Sequence, residues 1–144
     1  MLSKHAYFLQ GIVKDQFFTD DEMRSKYSHD ETEDIRILPA CVIKPETVEQ
    51  VSQILAYCNE HKIPVTPMGA RTGLSGGAIP VLNGVALSME RFNRILKIDE
   101  QNHQVITEPG VITQVLQDAV KEKGLFYPPD PASKGSCFIG GNVS

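Results

Sequence analysis

The chain has 144 residues and a formal net charge of −4, with 41% apolar and 22% charged residues, the usage of one ordinary globular domain. That balance excludes a general attraction to nucleic acid or anionic lipid. No run approaches the length of a membrane span and residues 1–10 lack the apolar stretch of a signal peptide, so a cytoplasmic protein without a transmembrane segment is expected. Cys41, Cys58 and Cys137 are an odd number with no C-x-x-C pair, which argues against a disulfide framework or structural zinc; Cys41 and Cys58 read as small core residues.

In chain order, the pattern predicts a helix near Lys4 to Val13 and a second near Asp20 to Tyr27, the latter capped by Thr19 with acids in its first turn. Arg36 to Ile43 reads as a strand. A helix then runs from about Pro45 to His61, with Val48, Val51, Ile54, Leu55 and Cys58 spaced as one apolar face. Ile63 to Pro67 starts the next strand, giving β-α-β that leads directly into a glycine-rich loop, the end of a parallel strand where α/β sheets place ligands. Val85 to Ser88, Lys97 to Asp99 and Val105 to Glu108 are three short strands. Gly110 and Thr113 lead a helix through Val115, Leu116, Ala119 and Val120 to Gly124, a helix-ending glycine. The expected fold class is α+β.

The loop itself, Pro67, Met68, Gly69, Ala70, Arg71, Thr72, Gly73, Leu74, Ser75 and Gly76, followed by Gly77, reads as a phosphate cradle. Glycine amides can approach an anion closely and Gly73 and Gly76 are expected at φ > 0, which turns successive N–H groups into one concavity. Thr72 and Ser75 add hydroxyl donors and Arg71 a cationic fork, expected to reach a phosphate or to pair with an acid that orients the loop. The spacing fits neither the Rossmann G-x-G-x-x-G nor the P-loop pattern. A glycine-rich connection that binds nothing is the alternative. Towards the end, Pro128, Pro129 and Pro131 stiffen a loop around Asp130, either a rigid turn or a held acceptor. Ser133, Gly135, Ser136 and Cys137 with Gly140, Gly141 and Asn142 repeat the combination of hydroxyls and glycine amides, a second cradle.

These segments together resemble the FAD-linked oxidases of the vanillyl-alcohol-oxidase superfamily, in the branch of D-lactate dehydrogenase, glycolate oxidase D subunit and D-2-hydroxyglutarate dehydrogenase. The resemblance rests on residues 67–78, on residues 39–45, 87–95 and 108–111, and on residues 125–131 and 134–143, in register over roughly 28–144. Met68 stands where many relatives have arginine and Arg71 where they have a small residue or asparagine, so the loop's cation has moved.

The resemblance implies a PCMH-type FAD-binding domain, a small β-α-β lobe plus the start of a second mixed lobe, over 31–144 behind a helical extension at 1–30. It implies non-covalent FAD, no histidine, cysteine or tyrosine standing in the 69–77 loop to attach it, held by the residues named above together with Pro109 and Gly110. Cys137 is then a backbone contact, with only Lys134 nearby in sequence to lower its pKa. It implies oxidation of a D-2-hydroxy acid to the 2-keto acid, with hydride passing to the flavin, a base and metal ligands in a substrate domain absent from this sequence, and at most peripheral membrane association through an electron acceptor. No catalytic residue and no metal ligand is assigned here: His5, His29, His61 and His103 are scattered without ligand spacing. An incomplete FAD module is expected to be inactive alone and to self-associate through uncovered edges. The competing readings are a same-fold reductase or oxidase of another substrate, and a non-catalytic nucleotide-binding or interaction module.

Overall fold

A computed structural model describes residues 3–144. Its elements are α1 (Ser3–Val13), β1 (Phe17–Phe18), α2 (Asp21–Lys26), β2 (Cys41–Ile43), α3 (Val48–Glu60), β3 (Val65–Met68), β4 (Val85–Ser88), β5 (Ile95–Asp99), β6 (Gln104–Thr107), α4 (Thr113–Lys121) and α5 (Ile139–Val143). Four strands form one sheet in the order β1-β2-β4-β3, antiparallel between β1 and β2 and parallel elsewhere; β5 and β6 form a separate antiparallel pair. The α+β class and the two lobes match the expectation.

The period of two along a strand divides the main sheet's faces. Cys41 and Ile43 of β2 and Val85 and Leu87 of β4 turn to one side, where Ile54 and Cys58 of α3 and Leu9 and Val13 of α1 cover them. Val42, Ala86 and Met68 turn to the other, against Tyr27. A third cluster joins Leu116 and Val120 of α4 to Val111 and Ile139, with Ile95, Ile98 and Val105 of the hairpin packed on it.

Several local expectations are corrected. Asp20, not Thr19, caps α2, its Oδ1 accepting from the Met23 amide at 2.8 Å. The strand expected from Arg36 is confined to Cys41–Ile43, because the backbone before it is engaged elsewhere: the Ile37 amide donates to the Ser28 carbonyl and the Pro39 carbonyl accepts from Arg24 Nε. The start of α3 is fixed by a reciprocal capping box between Thr47 and Gln50. Of its predicted face, Ile54 and Cys58 are buried, but Val48 is 70% exposed and Leu55 lies at an open groove. Gly124 takes the left-handed conformation expected of it, φ +70°.

The segment read as an extension, 1–30, packs into the main core through Leu9 and Val13, and β1 lengthens the sheet. Where α1 crosses α3, His5 Nδ1 lies 3.0 Å from the Tyr57 hydroxyl, and the rings of His5, Tyr57, His61 and Phe8 stack or meet edge-on. Burial among these rings, with the neighbouring charges of His61 and Lys4, holds His5 below its ordinary value of 6.5. As the pH falls through 6.5, the unfolded chain therefore binds a proton before the folded one does. Stability present above that pH is lost as the pH drops to the folded-state value. Thermal midpoints should decline over this window in the native chain, and His5→Phe should flatten that part of the decline.

Candidate functional site

The glycine-rich loop begins where β3 ends. Met68 is itself core, 1% exposed, and its carbonyl accepts from the Met89 amide, so it closes the sheet and does not face the loop cavity. From Gly69 the chain leaves the ladder. The amides of Ala70 through Ser75 donate to no acceptor within the described residues, six successive N–H groups left for water or a ligand. A cavity of about 540 Å³ opens before them, lined by Pro67, Gly69, Ala70, Arg71, Thr72, Gly73, Leu74 and Ser75 from the loop.

Gly76 has the positive φ expected of it, with its amide already engaged. Its amide donates to Thr32 Oγ1 at 2.8 Å, so it is committed inside the protein. Its φ is +74°, whereas Gly73 does not occupy the left-handed region; Arg71 does, at +60°. Among the described residues Arg71 forms no ion pair: its guanidinium lies over the Tyr27 ring, 4.2 Å from the centroid. The same ring has Lys44 Nζ at 5.1 Å, and the Tyr27 hydroxyl donates to Glu90, which also pairs with Lys44 at 2.8 Å. Burial alone would raise the Glu90 carboxyl, but bonds from Lys44, Tyr27 and Ser88 hold it below the usual carboxylate range.

The second predicted stretch divides. Ser133, Cys137, Gly141 and Asn142 line the loop cavity from the opposite side, with Phe138. They come close because residues 137–140 run beside 109–113: Thr113 N donates to Cys137 O at 3.0 Å, Ile139 N to Val111 O at 2.8 Å and Gly140 N to Pro109 O at 2.9 Å. Asn142 Nδ2 donates to Thr113 Oγ1 and approaches Cys137 Sγ at 3.4 Å, so this side chain ties the segment together. Burial would push the Cys137 thiol up, but the bonds from Thr113, Asn142 and Ser133 outweigh it and the thiol sits below its ordinary value. Lys134, the neighbour expected to do this, instead pairs with Asp130 at 2.7 Å.

Other predicted contacts lie outside that cavity. Pro129 and Asp130 are exposed, and the Pro129 carbonyl accepts from Gln117 Nε2 at 2.8 Å. Gly135 and Ser136 occupy an exposed turn closed by Ser136 N to Ser133 O at 2.8 Å. Gly110 and Gly140 are glycines for packing: a Cβ on Gly110 would stand 2.5 Å from the Met89 carbonyl oxygen, and one on Gly140 would stand 2.6 Å from Pro109 Cβ. Pro109 and Gly140 do line a second, mainly apolar groove of about 460 Å³ with Val51, Leu55, Leu87 and Met89. The groove meets the loop cavity at Pro67, Gly69, Gly141 and Ser144, so a donor-rich chamber continues into an apolar one.

Sequence reading missed Asp30, because nothing local marks it. It is 5% exposed and lines the loop cavity; Oδ1 accepts from the Thr32 amide at 2.9 Å while Oδ2 is buried without a hydrogen-bond partner. Burial alone would raise this carboxyl, but its interactions with Thr32 and the Ala78 amide outweigh that and keep it below the usual range. An unpaired buried acceptor beside unpaired donors fits a ligand that carries both phosphate oxygens and hydroxyl groups. FAD has both, and its flat rings suit an apolar chamber.

Comparison with known proteins agrees. Residues 39–144 match the family described as FAD binding domain. The chain is 42% identical over 136 residues to glycolate oxidase subunit GlcD of Bacillus subtilis (strain 168), covering 94% of this chain and 29% of that protein. It is 38% identical over 125 residues to D-2-hydroxyglutarate dehydrogenase of Stutzerimonas stutzeri (strain A1501), covering 87% of this chain and 27% of that protein. Among solved structures, 4-ethylphenol oxidase from Gulosibacter chungangensis superposes with a TM-score of 0.80 at 26% identity, over 94% of this chain and 27% of that one. The chain thus spans less than a third of the relatives it matches. With the family match covering residues 39–144, which hold the loop and all of the chamber lining except Asp30, the chain belongs to the FAD binding domain family.

Proposed function

We propose that this chain is the cofactor-holding part of a flavoprotein that oxidises a D-2-hydroxy acid of the glycolate, D-lactate or D-2-hydroxyglutarate type to its 2-keto acid. The observation that carries the cofactor part is the run of amides from Ala70 to Ser75 without an acceptor among the described residues, in a loop that lines a cavity continuing into an apolar groove. The substrate class is supported by what the relatives are named for, glycolate, D-2-hydroxyglutarate and D-lactate. Bound flavin supplies the two-electron redox chemistry.

The chain's own residues bind and orient. The loop amides, with the Thr72 and Ser75 hydroxyls, would take the pyrophosphate, and Ser133 and Gly141 would close the chamber from the far side. Asp30 Oδ2 would accept from a sugar or ribityl hydroxyl. The groove of Val51, Leu55, Leu87 and Met89 would exclude water from a ring system. Copies of the isolated chain are expected to associate through β3, an edge strand beside that groove.

The attachment is non-covalent in this reading. Cys137 is the one nucleophilic thiol lining the loop cavity, and it is 2% exposed and bound to Thr113 and Asn142. Purified chain loaded with FAD should show a band near ~450 nm, and acid precipitation should release the yellow colour to the supernatant as FAD. A colourless chain after loading would sink the flavin reading. Colour kept in the pellet would sink non-covalent binding, and FMN in the supernatant would sink the pyrophosphate assignment.

A further inference from the structure

The FAD family match begins at residue 39, yet the glycine-rich loop is held from behind by residues that precede it. Three contacts fall at intervals along the loop. The Arg71 guanidinium stacks on the Tyr27 ring at 4.2 Å, the Glu31 amide donates to the Gly73 carbonyl at 3.0 Å, and the Gly76 amide donates to Thr32 Oγ1 at 2.8 Å. These cover the left-handed residue at 71, the middle of the loop, and the left-handed glycine at 76.

The holding segment is itself fixed. Tyr27, Ser28 and Asp30 are 4%, 3% and 5% exposed. The Ser28 hydroxyl donates to the Ser25 carbonyl at 2.8 Å and the Ser28 carbonyl accepts from the Ile37 amide at 2.8 Å. The Tyr27 hydroxyl is anchored on Glu90, just beyond β4, and through it on Lys44, just beyond β2. The loop is therefore tied, through one short segment, to the ends of the two central strands.

A loop with six unpaired amides has no ladder to order it, and ordering it at the moment of binding would subtract from ligand affinity. We propose that Tyr27–Thr32 is a brace that presets the glycine-rich loop for its ligand, with Tyr27 and Thr32 as positioning residues that touch the loop and not the ligand. The proposal rests on the FAD reading for its affinity consequence, but its structural half stands without cofactor.

The test uses Thr32→Val, which keeps the shape and removes the acceptor of the Gly76 amide, Thr32→Ser, which restores the acceptor, and Tyr27→Leu, which removes the ring under Arg71. Amide hydrogen exchange is followed at Gly76 without cofactor, FAD affinity by quenching of flavin fluorescence, and the thermal midpoint in parallel. Loss of one such hydrogen bond corresponds to a roughly three- to tenfold change in binding. Thr32→Val should accelerate Gly76 exchange and weaken FAD by that factor, Thr32→Ser should return both towards the original values, and Tyr27→Leu should also weaken FAD. Unchanged Gly76 exchange in Thr32→Val overturns the brace. So does a lowered thermal midpoint with FAD affinity intact, the mark of a structural contact only. If the unaltered chain binds no FAD, the flavin reading has failed, and Gly76 exchange alone then decides for or against the brace.

Discussion

Gly76→Val should weaken FAD binding by at least about tenfold and lower the thermal midpoint, whereas Gly73→Val should weaken binding with little change in stability. The two glycines act for different reasons. At Gly76 the backbone has φ +74°, a region that a β-branched residue enters only at a cost of about 1–3 kcal/mol, and relieving it would move the amide away from Thr32. Gly73 has no such backbone requirement. Its carbonyl is held by the Glu31 amide, and a Cβ there would stand 4.0 Å from Asp30 Oδ2, within the lining of the loop cavity. A valine there would occupy ligand space in a folded loop. Flavin fluorescence titration and thermal unfolding on both variants give the comparison. Normal binding by both would remove the loop from the cofactor site, and equal destabilisation by both would show that the difference in φ has no consequence.

The chain by itself should turn over no 2-hydroxy acid, a deficit of many powers of ten against a complete enzyme. Acid–base catalysis contributes typically 10²–10⁴-fold and correct positioning of reactants more again. Among the described residues, Asp30, Arg71 and Cys137 are the ionisable side chains lining the loop cavity. Arg71 is stacked on Tyr27, Cys137 is hydrogen-bonded and buried, and Asp30 is enclosed with the phosphate loop. None lines the apolar groove, where a flavin ring would meet a substrate in this reading. His5 and His61 sit together across α1 and α3, in neither chamber. The chain incubated with FAD, an artificial dye and D-lactate, glycolate or D-2-hydroxyglutarate should reduce dye no faster than free FAD. Reduction above that blank would place a catalytic group within residues 1–144.

The order of the longer elements and the place of the loop are legible in the sequence, whereas β1 and α5 are not. Apolar spacing gave α3 and α4, the run at 85–88 gave a strand buried along its whole length, and the four glycines at the end of β3 marked the donor-rich turn. These are local signals, carried by side-chain periodicity and by the backbone freedom of glycine. The motifs shared with a family carry the rest, and point to the cofactor.

The rest depends on partners far apart in the chain. Phe17–Phe18 is a strand only because β2 lies beside it, Phe17 opposite Ile43 and Phe18 opposite Val42; two residues carry no period of their own. Residues 36–40 have a strand's composition, but their backbone groups are claimed by Ser28, Arg24 and Gly84. Leu55 has a core residue's spacing and instead lines an open groove, because periodicity gives a face and not what covers it. Asp30, Thr32 and Tyr27 reached the site across more than forty residues of sequence, Asp30 lining the loop cavity with Gly73, Thr32 bonded to Gly76 and Tyr27 under Arg71, which no local pattern encodes. Arg71 shows the division most plainly: its charge was legible in the sequence, but only packing decided that it rests on an aromatic ring instead of on an acid.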